Sequence, residues 1–398
     1  MPDSKPLAIG QNGMPVIIFG AASVGQAIFH ACREAGITVD AFCDNNANLA
    51  RERRFDLEII PARDLKRRFP EADIIISCAD IADVVRQLEE MGYSRWHPCT
   101  ELLRNFDIYP YSYLKPHDFV AHTVAAALLC QDSYTTPDKL FLRCVDLMIT
   151  EKCSMKCKDC ANLMQYYANP VNDDTAEMLR SIDRFCSVVD EVNEMRVLGG
   201  EAFMNKDAHI IIKRLIDEPK VKKVVVYSNA TIVPNKEQMA AMRSSKVLFF
   251  ITDYGSLSRK RDRLIKELES NQITYISSPA SNWTDCGQIY EHHRTEEEQK
   301  HIFGTCCVKN IFTIAGNLLF HCPFSANAYR LHAVPDFKGD HVDFSRSDIS
   351  VKHELVQLVR HKEYIDSCDF CNGRTHGNPE IVPGIQTLVT LKYEKYAH

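Results

Sequence analysis

The sequence predicts an α/β protein in three parts. These are an N-terminal βαβ domain over residues 1–105, a central partial (β/α)6 barrel over 141–290, and a small α+β domain over 291–398, with 106–140 as connector. Three observations carry that prediction. A strand pattern, a glycine-bearing turn and a helix pattern follow one another over residues 15–35. Strand and helix signals alternate from residue 145 to about 277. Beyond residue 300, cysteines flank a hairpin pattern.

Composition narrows the function classes. The chain has 398 residues, enough for two or three domains, with 45% hydrophobic and 25% charged residues. A net charge of −6 argues against nucleic acid as the main partner, because phosphate binding favours a basic face. The sequence has no run of about 18 apolar residues to span a membrane. Residues 1–13 lack the charged-then-apolar secretory pattern, so a cytoplasmic location is expected. Sixteen cysteines in a reducing compartment point to metal or redox work rather than disulfides.

In the first domain, residues 15–19 read as a buried parallel strand. The turn Gly20-Ala21-Ala22-Ser23-Val24-Gly25 leads into a helix to about Ala35, and residues 38–43 form a second strand ending at Asp44. Such a unit places Gly20, Ser23 and Gly25 where a phosphate meets a helix N-terminus, and Asp44 near a ribose. Ala22 stands where a dinucleotide site has its middle glycine, and its methyl crowds a pyrophosphate, which counts against NAD. A strand at 73–77 and a helix at 81–91 follow. The unit resembles the Rossmann-like domain that precedes the acyltransferase part of bacterial sugar O-acyltransferases. That resemblance implies a bound nucleotide or nucleotide-sugar; the alternative is a ligand-free docking module. In the connector, residues 121–129 read as an apolar helix among Pro110, Pro116 and Pro137. Cys78, Cys99, Cys130 and Cys144 share no short spacing and read as small buried hydrophobes.

In the central domain the expected strands are 145–150, 194–198, 222–227, 247–252 and 273–277. The expected helices are 175–189, 208–217, 236–244 and 258–270. Barrel enzymes carry their chemistry on the loops after the strands. Here Cys153, Cys157 and Cys160 follow the first strand in a C-x3-C-x2-C spacing. Gly199, Gly200 and Glu201 follow the second, Ser228 and Asn229 the third, and Asp253 the fourth. Three thiolates so spaced can ligate three irons of an iron–sulfur cluster and leave one iron open to a chelating molecule. A zinc site is the alternative, although zinc usually takes paired C-x2-C knuckles or histidines. Glycines let the backbone approach a ligand closely, and Glu201 can accept hydrogen bonds from an ammonium. Ser228 and Asn229 can bond hydroxyls or cap a helix. Asp253 reads as a substrate contact or a turn residue. Lys156 and Lys158 offset cluster charge, dock an electron donor, or are simply solvated.

With that cysteine spacing on the first strand loop, the chain resembles the radical S-adenosylmethionine (SAM) enzymes. The resemblance implies a 4Fe-4S cluster whose open iron chelates SAM, fed by a reduced flavodoxin or ferredoxin-type donor. It implies cleavage of SAM to methionine and a 5'-deoxyadenosyl radical that takes hydrogen from a small-molecule substrate. By the same resemblance, Gly199, Gly200 and Glu201 hold the amino group of SAM, and Ser228 and Asn229 sit at its ribose. Asp159 stands where the family usually has an aromatic or apolar residue before the third cysteine.

Beyond the barrel, Cys306 and Cys307 precede a hairpin pattern at 311–314 and 318–321. Cys322 follows it, and Cys368 and Cys371 form a later C-x2-C pair. Four thiolates suffice for a second cluster, and a four-cysteine zinc site is the alternative. The arrangement is similar to the SPASM extension and its shorter twitch form. This implies an auxiliary 4Fe-4S cluster on Cys322, Cys368, Cys371 and either Cys306, which is favoured, or Cys307. Cys286, with no partner cysteine nearby, reads as a hydrogen-atom donor to a substrate radical, an inert thiol, or a further ligand.

The expected function is radical chemistry on a sugar or nucleotide-linked sugar, by epimerisation, dehydrogenation or rearrangement, in polysaccharide or natural-product biosynthesis. A SPASM-type peptide-modifying enzyme is one alternative. A zinc-stabilised nucleotide-binding protein without radical chemistry is another.

Overall fold

A computed structural model describes residues 9–111, 117–136, 138–346, 350–375 and 378–398; Pro116 and Pro137 and residues 1–8 lie outside them. The chain forms two compact units, Met1–Lys139 and Leu140–His398.

In the first unit the elements run β1 (Val16–Phe19), α1 (Ser23–Glu34), β2 (Ala41–Asp44), β3 (Arg53–Arg54), β4 (Leu57–Pro61), α2 (Ala62–Arg68), β5 (Asp73–Ile76), α3 (Ile81–Glu90), β6 (Trp96–Pro98), α4 (Thr100–Leu103) and α5 (His117–Tyr134). They build a sheet of order β3-β4-β2-β1-β5-β6, parallel except between β3 and β4. Continuous apolar strands suit a sheet covered on both faces. Val16 and Ile18 pack into one buried cluster, and Ile17 and Phe19 into the other. The winding reverses between β1 and β5, where the Gly20 turn emerges. α5, inside the stretch expected to be a connector, belongs to this unit. Val120, Val124 and Ala127 share a core with Ala27, Ala31 and Leu103. Gln131, fully buried, accepts from Cys99 N (2.6 Å) and donates to the carbonyls of Ile76 and Cys78 (2.9 and 3.0 Å).

The second unit runs β7 (Phe141–Met148), α6 (Thr175–Val188), β8 (Glu191–Leu198), α7 (Ala208–Asp217), β9 (Val221–Ser228), α8 (Lys236–Ala241), β10 (Val247–Asp253), α9 (Arg261–Ser270), β11 (Thr274–Pro279), α10 (Glu296–Thr305), β12 (Phe312–Ala315), β13 (Leu318–Phe320), α11 (Pro323–Arg330), β14 (His341–Asp343) and α12 (Ser350–Arg360). Side chains start several helices where the sequence places them. Asp174 caps α6, and capping boxes Asn235/Gln238 and Thr295/Glu298 open α8 and α10. The sheet order is β11-β10-β9-β8-β7-β12-β13-β14.

Five parallel strands, β7 to β11, match the expected alternation. The sixth parallel strand departs from a simple (β/α)6 succession. It is β12, the first strand of the expected hairpin, laid alongside β7 at the opposite side of the sheet from β11. The ranges 141–290 and 291–398 therefore share one sheet and one compact unit. An open sheet leaves the β7 edge with unpaired backbone groups, and the hairpin satisfies them. Among the described residues no helix is long and apolar enough to cross a membrane.

Gln131→Leu would leave three backbone groups around α5 without partners. It should destabilise the first unit by about 3 kcal/mol, read as a lower urea midpoint from Trp96 fluorescence in a Trp283→Phe background. An unchanged midpoint would remove α5 from the first unit's core.

Candidate active site

The cysteine loop leaves the C-terminal end of β7 and is pinned before it reaches its first thiol. Buried Thr150 donates to Asn172 Oδ1 (2.7 Å) and accepts from Lys152 N (3.0 Å), while Glu151 N donates to Val171 O (2.9 Å). The end of β8 then presses against this loop. Gly200 N donates to Thr150 O (3.2 Å) and Glu201 N to Lys152 O (2.9 Å). A Cβ on Gly199, whose φ is +157°, would lie 2.1 Å from Thr150 O. One on Gly200 would lie 2.3 Å from Lys152 O and 2.6 Å from Cys153 Cβ. Both glycines are thus required by the approach of the cysteine loop itself.

Glu201 is held at the joint between two strand ends. Its carboxylate is buried, accepts from Ser228 Oγ (2.9 Å) and Asn229 N (2.8 Å), and does not line the neighbouring cavity. Burial pushes its pKa up to about 7, against the pull of those hydrogen bonds. Glu201 therefore ties the end of β8 to the end of β9. Asn229 reaches back to Cys153 Sγ (3.7 Å) and Ser154 Oγ (3.4 Å), and Ser154 bonds Thr231. Three strand ends are joined into one rim.

That rim encloses a cavity of about 240 Å³. Cys153, Cys157 and Cys160 line it, together with Gly199, Gly200, Ser228, Asn229, Tyr254 and Cys286. Burial raises all three loop thiols, Cys160 to about 11, and the neighbouring thiols push Cys153 and Cys160 in the same direction. A cationic centre would offset both effects and let them ionise. Among the described residues only Glu291, His293 and Asp369 bring three ligand atoms within 4.8 Å of one another. Three thiols from one loop on one cavity wall are the donor chemistry of an iron–sulfur centre.

The cavity also has a polar lining that sequence reading passed over. Asp146 on β7, Arg196 on β8 and Tyr227 on β9 reach it from inside the sheet. Arg196 Nε lies 3.2 Å from Asp146 Oδ1, yet neither atom makes an aligned hydrogen bond. The guanidinium sits 4.6 Å from the Tyr227 ring centroid. Burial raises the Asp146 pKa to about 6 despite Arg196. The available signal was a charge set between apolar neighbours near a strand's C-terminal end, Asp146 between Val145 and Leu147 and Arg196 between Met195 and Val197. Asp253, by contrast, accepts from Gly255 N (2.9 Å), pairs with Arg261 (3.4 Å) and stays outside the cavity lining, as a turn residue does. Its neighbours Thr252 and Tyr254 line the cavity instead.

A second, smaller cavity of about 50 Å³ is lined by Cys306, Cys322, Cys368 and Cys371. Ser325 N points at Cys322 Sγ (3.4 Å) and Gly373 N at Cys371 Sγ (3.3 Å). Cys307 is exposed and outside this lining, so of the adjacent pair only Cys306 joins the set. Cys286 lines both cavities. The next residue, Gly287, packs so tightly on the cysteine loop that a Cβ would lie 2.6 Å from Cys160 O.

In the first unit, Gly20 (φ +104°) and Gly25 shape the turn after β1: their added Cβ atoms would meet Ser77 Oγ at 2.1 Å and Gly20 O at 1.9 Å. Ser23 is the first residue of α1 and makes no capping bond. Asp44 braces the turn, accepting from Ala21 N and Asn46 N at 2.8 Å each. Its carboxylate is thus engaged by backbone, where a ribose contact was expected.

A family model described as a 4Fe-4S single cluster domain matches residues 142–277. No curated protein matches the sequence. Among solved structures, BtrN in complex with AdoMet and 2-DOIA is similar at 12% identity and a TM-score of 0.40, covering 59% of this chain and 93% of that one. The protein anSMEcpe with bound AdoMet and Cp18Cys peptide is similar at 8% identity and a TM-score of 0.39, covering 56% and 82%. Streptococcus suis SuiB bound to S-adenosylmethionine gives 13% and 0.29, covering 40% of this chain and 37% of its own length.

Gly200→Ala should displace the cysteine loop, because the atoms it meets are backbone and Cβ. A cost of about 2–4 kcal/mol is expected, and any iron bound at this loop should be lost with it. A melting temperature and iron content equal to the parent protein's would show that the loop tolerates the methyl.

Proposed function

We propose that the protein is a radical SAM enzyme acting on a sugar or nucleotide-linked sugar. The observation that carries this reading is the convergence of Cys153, Cys157 and Cys160 on one cavity that the polar ends of β8 and β9 also line. The match of a 4Fe-4S domain to the same stretch of chain supports it. When bound, the cluster supplies the electron that cleaves SAM to methionine and a 5'-deoxyadenosyl radical, which takes hydrogen from substrate.

The chain's own residues bind and orient. Cys153, Cys157 and Cys160 would hold an iron–sulfur cluster, which would supply an open coordination site for the amino and carboxylate groups of SAM. The backbone at Gly199 and Gly200 borders that position, with Ser228 and Asn229 beside it for the ribose; Glu201 keeps this rim in place. Asp146, Arg196 and Tyr227 offer donors and acceptors suited to the hydroxyls of a sugar, and the ion pair gains the hydrogen bonds it lacks. Cys306, Cys322, Cys368 and Cys371 hold a second 4Fe-4S cluster. Cys286, on the wall shared by both cavities, is the thiol placed to return a hydrogen atom to the substrate radical; the thiyl radical left behind takes one electron, from the reduced donor protein, and one proton from water to restore the thiol, which makes epimerisation the finer reading. In the first unit, the Gly20–Gly25 turn lies at the reversal of strand order, where open α/β sheets take ligands; a nucleotide or nucleotide-sugar is its expected guest. A reduced flavodoxin or ferredoxin-type protein supplies the electron.

Anaerobically purified protein should be brown and carry about eight irons per chain. With SAM and a reductant it should release 5'-deoxyadenosine, and Cys157→Ala should abolish the release while leaving about four irons at the second site. A colourless protein holding zinc would overturn the reading. Arg196→Met should keep SAM cleavage but uncouple it from product, raising the substrate KM by about tenfold or more; an unchanged KM would take Arg196 out of the substrate site. Solvent deuterium should enter product in the parent protein and not in Cys286→Ala; equal labelling would discard the hydrogen-donor role.

A further inference from the structure

The segment 381–398 crosses the cysteine loop through an isolated antiparallel bridge. Cys157 pairs antiparallel with Gln386, Lys158 N donates to Ile385 O (2.7 Å), and Thr387 N donates to Lys156 O (2.7 Å). The segment is anchored on both sides of this crossing. Ile381 N donates to Trp283 O (2.8 Å), and Gly384 packs so closely on Tyr254 that a Cβ would lie 2.9 Å from its ring. Beyond the crossing, Leu391 N donates to Gln165 O (3.0 Å) and Tyr396 N to His332 O (2.8 Å), while Leu391, Tyr393 and Tyr396 pack against the same buried apolar group as Cys160.

One side chain of this strap points at a loop thiol. Gln386 Nε2 donates to Cys157 Sγ (3.2 Å) and to Gly384 O (2.7 Å), and Gln386 Oε1 accepts from Lys156 N (2.7 Å). These partners fix which way the carboxamide faces. A flipped amide would set oxygen against a carbonyl and nitrogen against an N–H. The N–H donor is therefore held on the sulfur by the strap's own backbone.

We infer that Gln386 is a positioning residue for the cluster: its N–H···S hydrogen bond to Cys157 raises the cluster's reduction potential, and the strap shields that thiolate from water. The inference rests on the reading of Cys153, Cys157 and Cys160 as cluster ligands. Reduction adds negative charge to the iron–sulfur unit and its thiolates, so a donor on a ligating sulfur favours the reduced state. Hydrogen bonds to sulfur and solvent exposure are the protein's means of setting such potentials.

Two variants of the full-length holoprotein test this. Gln386→Leu keeps bulk and removes the donor. Gln386→Glu keeps the shape and replaces the donor with a negative charge. In an anaerobic titration followed by the electron paramagnetic resonance signal of the SAM-binding cluster, the midpoint should move negative in Gln386→Leu and further in Gln386→Glu. Iron content should stay at the parent level, and the cluster should bleach faster in air in both. Equal midpoints in all three proteins would overturn the inference. Should Gln386→Leu fail to hold iron, the midpoint of Gln386→Glu decides alone. Absence of iron on this loop in the parent protein would instead remove the underlying cluster reading.

Discussion

The second unit depends on one close approach, between the end of β8 and the loop that leaves β7. Two successive glycines admit backbone where any side chain would collide. Gly199 and Gly200 bring the β8 turn onto the carbonyls of Thr150 and Lys152. Once those strands are locked, Glu201 is carried into the interior, where its carboxylate binds Ser228, the last residue of β9, and Asn229 just after it. The cost of burying that carboxyl is spread over hydrogen bonds from two strand-end donors. The outcome is a rigid rim, the property a site needs if it is to hold a ligand in one orientation.

Inside the rim the chemistry is poised against solvation. Thiols that burial keeps protonated surround the cavity on one side, and a buried Asp–Arg pair with imperfect hydrogen bonding lines it elsewhere. The ion pair opposes stability, since buried charged groups without full partners are costly. Stability given up at one place is a usual sign of a functional site. Burial also keeps Cys322, Cys368 and Cys371 protonated, beside the second cavity.

The C-terminal part of the chain is not an appendage to the parallel strands β7 to β11. Its hairpin supplies the strand that covers the β7 edge, and its last segment lies across the cysteine loop. Cys286 and Gly287 join the two cysteine groups from between. The β7 edge of the sheet and the cysteine loop are both covered by chain from beyond residue 310.

Local pattern determined much by itself. The five alternating strands, their helices, the hairpin and both cysteine sets follow from hydrophobic period, caps and spacing, all of which act over a few residues. Ala208–Asp217 was legible to its ends for that reason. What a side chain faces was decided by tertiary structure. Glu201 and Asp44 sit in motifs that suggest ligands, yet both turn to backbone donors that arrive from elsewhere in the fold. Asp146, Arg196 and Tyr227 show no motif and meet only because register aligns three strands. Gln386 lies 229 residues from the thiol it touches. Spacing along the chain says which groups can act together; only folding sets which ones point into the same space.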